Sequence, residues 1–265
     1  MICNVSRDEV VDAIKIHWKL QLGCYFKSVV NLNGAMYNLG DKVVDYFWNY
    51  AGLIESNEKD SGELLNRIIS FAQENNRVPA VYIDPTVEPS NFREFLVNRG
   101  FKLSGDEIWM FLNPLSFSLK EKPQGLQVKR VKTADEMRKF IEVFDLSYEM
   151  GEDGKVYGES LFDAFISGIK DVEVFHYLGM IDNSPVSIAS VYISHDAAGI
   201  YNVGTIPEFR KKGFGAALSR ESIAEALKHN VRRLLLQTEL ESEAESLYKN
   251  IGFEPAFSGE IWSIE

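Results

Sequence analysis

Residues 203–218 read VGTIPEFRKKGFGAAL. A strand-like run enters this stretch, a turn follows with three consecutive basic residues, Arg210, Lys211 and Lys212, and a helix-like run begins at Gly213. A strand that passes through a Gly-containing turn into a helix leaves several backbone N–H groups without partners. Those groups converge at the positive end of the helix dipole, and glycine lets an anion approach them closely. Between Pro207 and Arg233 there are seven basic side chains and three acidic ones, in a chain whose formal net charge is −11. The local reversal of sign marks this turn as an anion site. It is not a P-loop, because no GxxxxGK[ST] pattern is present. It is not a dinucleotide fingerprint either, since Gly213-Phe214-Gly215 runs on into Ala216-Ala217-Leu218.

Outward from the turn, the second half alternates strands and helices. LQVKRV (126–131) reads as a strand, followed by helices over 133–147 and 158–168. Three strands come next, VEVFHYLGMID, PVSIASVYIS and GIYNVGTI, with turns at Asp182-Asn183-Ser184 and His195-Asp196-Ala197. After the helix of residues 213–228, RRLLLQT is a strand, 242–250 a helix and 253–264 a last extended stretch. Hairpin-linked strands imply antiparallel pairing, and the strand–helix–strand crossing from Ile200 to Leu235 implies a parallel pair. The expected fold class is a mixed α/β (α+β) architecture, a mixed central sheet flanked by helices.

These residues resemble the acetyl-CoA signature of the GNAT N-acetyltransferase superfamily. Its core, Arg/Gln-x-x-Gly-x-Gly/Ala, is filled by Arg210, Gly213 and Gly215, and its lead-in by Val203, Thr205 and Pro207. A second match stands downstream, where LYKNIGF (247–253) fits Leu-Tyr-x-x-x-Gly-Phe and Ala244 precedes it at the family's spacing. The resemblance covers about residues 125–265. It implies that acetyl-CoA is the cosubstrate. The backbone of Lys211, Lys212, Gly213, Phe214, Gly215 and Ala216, with Arg210 and the lysine side chains, would hold the phosphates. Val203, Gly204 and Thr205 would pair with the pantetheine like an added strand. The amide of Gly204 or Thr205 would polarise the thioester carbonyl.

By the same resemblance Tyr248 is the general acid that protonates the leaving thiolate, since a free phenol with pKa of about 10 is protonated at neutral pH. A carboxylate on the preceding strand is missing, as no Asp or Glu lies between Ala197 and Pro207. Glu239, His176 and, through water, Tyr201 are the candidates for general base. Glu241 stands where the family often carries Asn at the start of the last helix, and Ser242 is the alternative cap. The implied activity is N-acetylation of a primary amine on a small molecule or peptide by direct attack in a ternary complex. A non-catalytic acyl-CoA sensor on the same fold is the competing class.

The first half, residues 1–114, lacks the phosphate-turn motif. Helices are expected over 6–20, 61–73 and 89–98, with a short buried strand at 78–84 and extended segments ending near Leu112. Its tail echoes the second half: strand VPAVYID, helix NFREFLVN, then Gly100-Phe101 where the other half has Gly252-Phe253. Phe95-Leu96 occupies the place of Leu247-Tyr248, so the acid is absent. The expectation is a smaller, degenerate GNAT-like domain over 1–114 without a cofactor site, a linker at 115–125, and the acetyltransferase domain over 126–265. Aromatics around Tyr46 to Tyr50 either line an acceptor cleft or fill the core.

Composition narrows the classes further. At 265 residues, 45% apolar and 25% charged, the chain has the makeup of a globular protein. A net charge of −11 argues against nucleic-acid partners. Only two cysteines, Cys3 and Cys24, make a disulfide framework or a Cys-rich metal site improbable, and no metal is expected. No apolar stretch is long enough to span a membrane, so a cytoplasmic location without membrane association is expected.

Overall fold

The computed structural model describes residues 3–264. In chain order the elements are α1 (Arg7–Gln21), β1 (Phe26–Asn31), β2 (Met36–Gly40), β3 (Tyr50–Gly52), α2 (Glu58–Glu74), β4 (Ala80–Ile83), α3 (Phe92–Asn98) and β5 (Lys102–Leu112). There follow β6 (Gln127–Arg130), α4 (Ala134–Tyr148), α5 (Gly154–Ser167), β7 (Glu173–Ile181), β8 (Ser184–Ser194) and β9 (Ala197–Thr205). The last are α6 (Phe214–Lys228), β10 (Arg233–Glu239), α7 (Glu243–Ile251) and β11 (Glu254–Ser263). This is the expected mixed α/β architecture, a large mixed sheet flanked by helices.

The chain forms two compact units, and each draws on more than one stretch of sequence. Unit 1 takes the described residues up to Met110, then Gln237–Glu245 and the residues from Pro255 on. Unit 2 takes Phe111–Leu236 and Ser246–Glu254. The segment 113–125 between β5 and β6 is irregular apart from one 3-10 turn at Pro114–Ser116.

In unit 1 the strand order is β1-β2-β3-β4-β11-β5. β1, β2 and β3 form an antiparallel meander, β3 runs parallel to β4, and β11 runs antiparallel to β4, with Ile261 opposite Tyr82 and Trp262 opposite Val81. The last strand of the chain is therefore a central strand of the unit built from the first half. α1 starts on a capping box: Ser6 Oγ accepts from Glu9 N, and Glu9 accepts from Ser6 N at 2.9 Å. Tyr37, Leu64, Ile68, Phe92 and Leu96 are fully or almost fully buried in the core beneath α2 and α3.

The three strands β1 to β3 are not apparent in the sequence. β3 has only three residues, and β1 is half-buried along most of its length, so neither carries a clean period-two pattern. α2 begins at Glu58, three residues ahead of the expected start, because Asn57 caps it.

In unit 2 the order is β10-β9-β8-β7-β6, with β6 through β9 antiparallel and Arg233–Leu235 of β10 parallel to Ala197–Gly199 of β9. β8 is buried at nine consecutive positions, so both faces of the sheet are covered. On β7, His176 packs on Phe140 of α4, with ring centroids 4.9 Å apart. Three residues on and on the other face, a Cβ on Gly179 would stand 3.0 Å from Leu218 of α6. α4 and α6 thus clamp the sheet from opposite sides. The hairpin at Asp182-Asn183 has both residues left-handed, at φ 48° and 64°, as a two-residue turn requires.

Candidate active site

The site is built on β9 and the start of α6. β9 does not pair evenly with β8. The register runs from Ser190↔Tyr201 to Ile188↔Gly204, so Asn202 and Val203 together face Ala189. That is a bulge, and Asn202 takes the left-handed conformation it requires, φ 52°. On the other side, pairing with β10 within unit 2 ends at Leu235↔Gly199, with Leu236 and Ile200 outside it. Ile206 N–H donates to the Val186 carbonyl at 3.0 Å. Alternation along the strand then turns the backbone groups of Thr205 and Val203 away from β8, to the open edge.

Beyond β9 the chain makes a 3-10 turn at Pro207–Phe209 and enters α6 through two left-handed residues, Lys211 (φ 62°) and Gly213 (φ 80°). The first helical hydrogen bond runs from Ala217 N to Gly213 O, 3.0 Å. The amides of Lys212, Gly213, Phe214, Gly215 and Ala216 have no partner among the described residues. Gly213, the N-cap, brings no side chain, and the first turn of α6 has no acidic residue. The start of α2 in unit 1 is closed by contrast: Asn57 caps it and Glu58 and Asp60 sit in its first turn. The two ends have opposite electrostatics. One has neutralised its own dipole and the other is left open to an anion.

Arg210 has a structural occupation. Its Nε donates to Thr205 O at 3.2 Å, and Nη2 donates to Ser147 O at 2.8 Å and to Glu149 Oε1 at 3.0 Å. It ties the turn to the end of β9 and to the C-terminal turn of α4. Lys212 folds back, donating to Glu208 O at 3.2 Å with its ammonium 4.5 Å from the centre of the Phe209 ring. Gly215 lies against β9: a Cβ there would make ordinary contacts with Val203 and Thr205, both at 3.7 Å.

The C-terminal turn of α4 belongs to this site, although nothing in the sequence singles it out. Tyr148 Oη donates to the Val203 carbonyl at 3.2 Å. A Cβ on Gly204 would stand 2.7 Å from Ser147 Cβ, so the absence of a side chain at 204 is what lets α4 approach the strand. Gly204→Ala should destabilise the protein by about 1–3 kcal/mol through overpacking. Ser147→Gly in the same chain should recover most of that loss. A double-mutant cycle by urea denaturation measures the coupling, and additive effects would refute the contact.

Tyr248 lies on α7 and is 7% exposed, with its ring edge-on to Phe253 at 5.9 Å. Its hydroxyl makes no hydrogen bond among the described residues. Burial, and secondarily the nearby Tyr148, push its pKa well above that of a free phenol, so it stays protonated. α7 itself begins on a side-chain cap: Glu245 N donates to Ser242 Oγ at 3.2 Å, and Glu241 N, just before the cap, donates to Glu245 Oε2 at 2.7 Å. Ser242 thus serves as the alternative cap expected from the sequence.

The candidate bases fare unequally. His176 is 4% exposed, and burial lowers its pKa to about 3. Its Nδ1 lies 2.7 Å from Ser190 Oγ, which also receives the Asn202 Nδ2 proton at 3.2 Å. The three residues anchor the bulge in the core, and a neutral, engaged His176 is a poor base. Tyr201 folds its ring over Gly199, where any Cβ would collide with it, and meets Tyr192 edge-on at 5.2 Å. Glu239 ends β10, in the part of that strand assigned to unit 1; its main-chain carbonyl accepts from Ser242 Oγ at 2.7 Å.

His176 also sets a pH dependence. Its folded pKa lies below the ordinary 6.5, so the unfolded chain binds the proton first as pH falls. The stability tied to the neutral imidazole is complete above pH 6.5 and is lost as pH falls from 6.5 toward 3, at up to about 1.4 kcal/mol per pH unit. Urea midpoints at pH 7 and pH 5 should therefore drop less in His176→Gln than in the parent chain. Parallel drops would mean that this histidine is not the titrating group.

A bulged strand splayed from its parallel neighbour, followed by an open, glycine-led helix start, is the arrangement of the GNAT fold, and comparisons with known proteins agree. The family model described as FR47-like protein matches residues 177–263. A GCN5-related N-acetyltransferase from Kribbella flavida superposes with a TM-score of 0.73 at 17% identity, over 98% of this chain and 96% of that one. One from Sphaerobacter thermophilus gives 0.69 at 15% identity, over 88% and 76%. A tandem GNAT protein from the clavulanic acid biosynthesis pathway gives 0.61 at 16% identity, over 87% and 78%. No curated protein matches by sequence. At these identities the likeness is one of fold. Among the described residues no helix is long and apolar enough to cross a membrane, and no group of three or more His, Cys, Asp or Glu is placed to hold a metal. Neither Cys3 nor Cys24 forms a disulfide.

Proposed function

We propose that unit 2 is the catalytic part of an acetyl-CoA-dependent N-acetyltransferase that modifies a primary amine on a small molecule or peptide. The observation that carries this reading is the run of unpartnered amides from Lys212 to Ala216 beside an open β9 edge. Acetyl-CoA, when bound, supplies an acyl group activated as a thioester. The amides at the start of α6 hold its pyrophosphate, and Lys211 and Lys212 add positive charge around them. Val203 and Thr205 pair with the pantetheine through backbone groups on the open edge, and pairing through the Val203 carbonyl displaces the Tyr148 hydroxyl. Thr205 N–H, rather than that of Gly204, faces the open edge and is the donor for the carbonyl oxygen. Tyr248 holds its proton on Oη for the departing sulfur. His176 positions the bulge and does not take the amine proton.

The first half is, on this reading, a degenerate copy without a cofactor site. Both halves run helix, three-stranded meander, helix, parallel strand, helix, strand. Both close the last helix alike: Phe101 N donates to Leu96 O and Phe253 N to Tyr248 O, each at 3.0 Å, around left-handed Gly100 and Gly252. The start of α2 is capped and acidic where that of α6 is open.

A thermal-shift titration with acetyl-CoA, CoA, ATP and NAD tests the reading, because a ligand that binds the native state raises Tm. Both CoA species should raise it by several degrees, and a Gly213→Glu variant should lose the response. A shift with ATP or NAD and none with acetyl-CoA would overturn the assignment. Turnover with a panel of amines then separates an enzyme from a sensor.

A further inference from the structure

Unit 1 contains a cleft of about 830 Å³, within the size range of small-molecule sites. α1 forms one side, and the β1–β2 hairpin with the segment after β3 forms the other. Its walls are apolar, from Val11, Trp18, Leu22, Val29, Met36 and Leu53. Its charges are unevenly placed. At one end Arg7 is satisfied: it donates to Thr86 O at 2.9 Å and to Glu88 at 2.8 Å, and it lies 4.0 Å from Glu55.

Along the same helix, Lys15 and Lys19 also line the cleft. They are one turn apart, so their ammonium groups are neighbours on one face. Both are exposed, and neither has an ion-pair or hydrogen-bond partner among the described residues. Like charges at this spacing destabilise a helix unless an anion lies between them. The opposite wall is built under strain. Leu53 is held at φ 49°, a left-handed conformation unusual for a bulky residue, directly after β3. Gly34, at φ 117°, has no room for a side chain, since a Cβ would stand 3.0 Å from Glu55 O. A preformed apolar trough in an acidic chain thus carries, along its α1 wall, a pair of unneutralised cations.

We infer that this cleft is a second ligand site, for a single-chain aliphatic carboxylate. Lys15 and Lys19 hold the head group, and the chain lies on Trp18, Met36 and Leu53. The site shares no residue with the acyl-CoA cradle, and the inference does not depend on it.

The test is isothermal titration of the full chain with dodecanoate below its micelle concentration, with hexanoate and dodecyltrimethylammonium as controls. Dodecanoate should bind at one site. Hexanoate should bind at least tenfold more weakly for want of chain contacts, and the cationic amphiphile should not compete. Lys15→Glu with Lys19→Glu, both on the exposed face of α1, should weaken dodecanoate at least tenfold and leave Tm in the absence of ligand within a few degrees. Saturating CoA should leave the dodecanoate isotherm unchanged. Absence of binding, equal binding of the cationic amphiphile, indifference to the two charge reversals, or competition by CoA would each overturn the proposal.

Discussion

Tyr248→Phe should lower kcat by about a hundredfold while leaving the affinity for acetyl-CoA unchanged, because positioned acids contribute roughly 10²–10⁴ in rate. The substitution removes one oxygen that makes no hydrogen bond to the described protein, and it keeps the ring that meets Phe253 at 5.9 Å. Stability should therefore stay near that of the parent, and the loss should fall on the chemical step. The parent hydroxyl stays protonated across the physiological range because burial raises its pKa. No alkaline limb from Tyr248 is expected below pH 9 in the profile of kcat. An unchanged kcat would remove Tyr248 as the acid without touching the cradle, which the CoA titration tests separately.

A fragment of residues 1–114 should fail to fold. It contains every helix and strand of the first half, but not β11, which stands between β4 and β5. Without β11 the core of unit 1 loses Phe257 and Ile261, 0% and 3% exposed, and Trp109 loses the ring stacked on it at 5.2 Å. Arg93 loses Glu260, its partner at 2.8 Å. Losing one buried Phe costs about 3–5 kcal/mol, and a whole central strand exceeds the 5–15 kcal/mol by which domains are stable. The fragment should show no cooperative melting in near-UV circular dichroism. Appending residues 254–264 through a flexible linker should restore it. A cooperative transition in the bare fragment would show that β11 is dispensable.

Much of the second half is legible in the sequence because local rules and tertiary structure agree there. The hairpin signal at Asp182-Asn183, the capped helix after Thr133 and the glycine-led helix at 213 all appear where local chemistry places them. The open amides follow from the same stretch, since Gly213 offers no cap. What the sequence conceals is long-range. Arg210 reads as a free cation, yet two of its acceptors lie on residues more than sixty positions away, Ser147 and Glu149. The His176–Ser190–Asn202 chain joins three strands, and no periodicity marks it. Tyr148 looks like an ordinary exposed aromatic at a helix end. β1 to β3 escape notice because their stability comes from α1, α2 and neighbouring strands rather than from alternation within short segments.

The placement of β11 also has a consequence for how the protein emerges during synthesis. Chains ordinarily fold their first-made domain first, as the ribosome advances at about 5–20 residues per second. Here unit 1 lacks a central strand until residues 254–263 are made, well after β5 ends at Leu112. That interval corresponds to roughly seven to thirty seconds. Meanwhile residues 111–236, the bulk of unit 2, are already available. The second half is therefore positioned to fold first, while β4 and β5 wait with unpaired edges and an uncovered apolar surface. The nascent first half is the part of this protein most dependent on chaperone protection, although in the finished molecule its core side chains are buried.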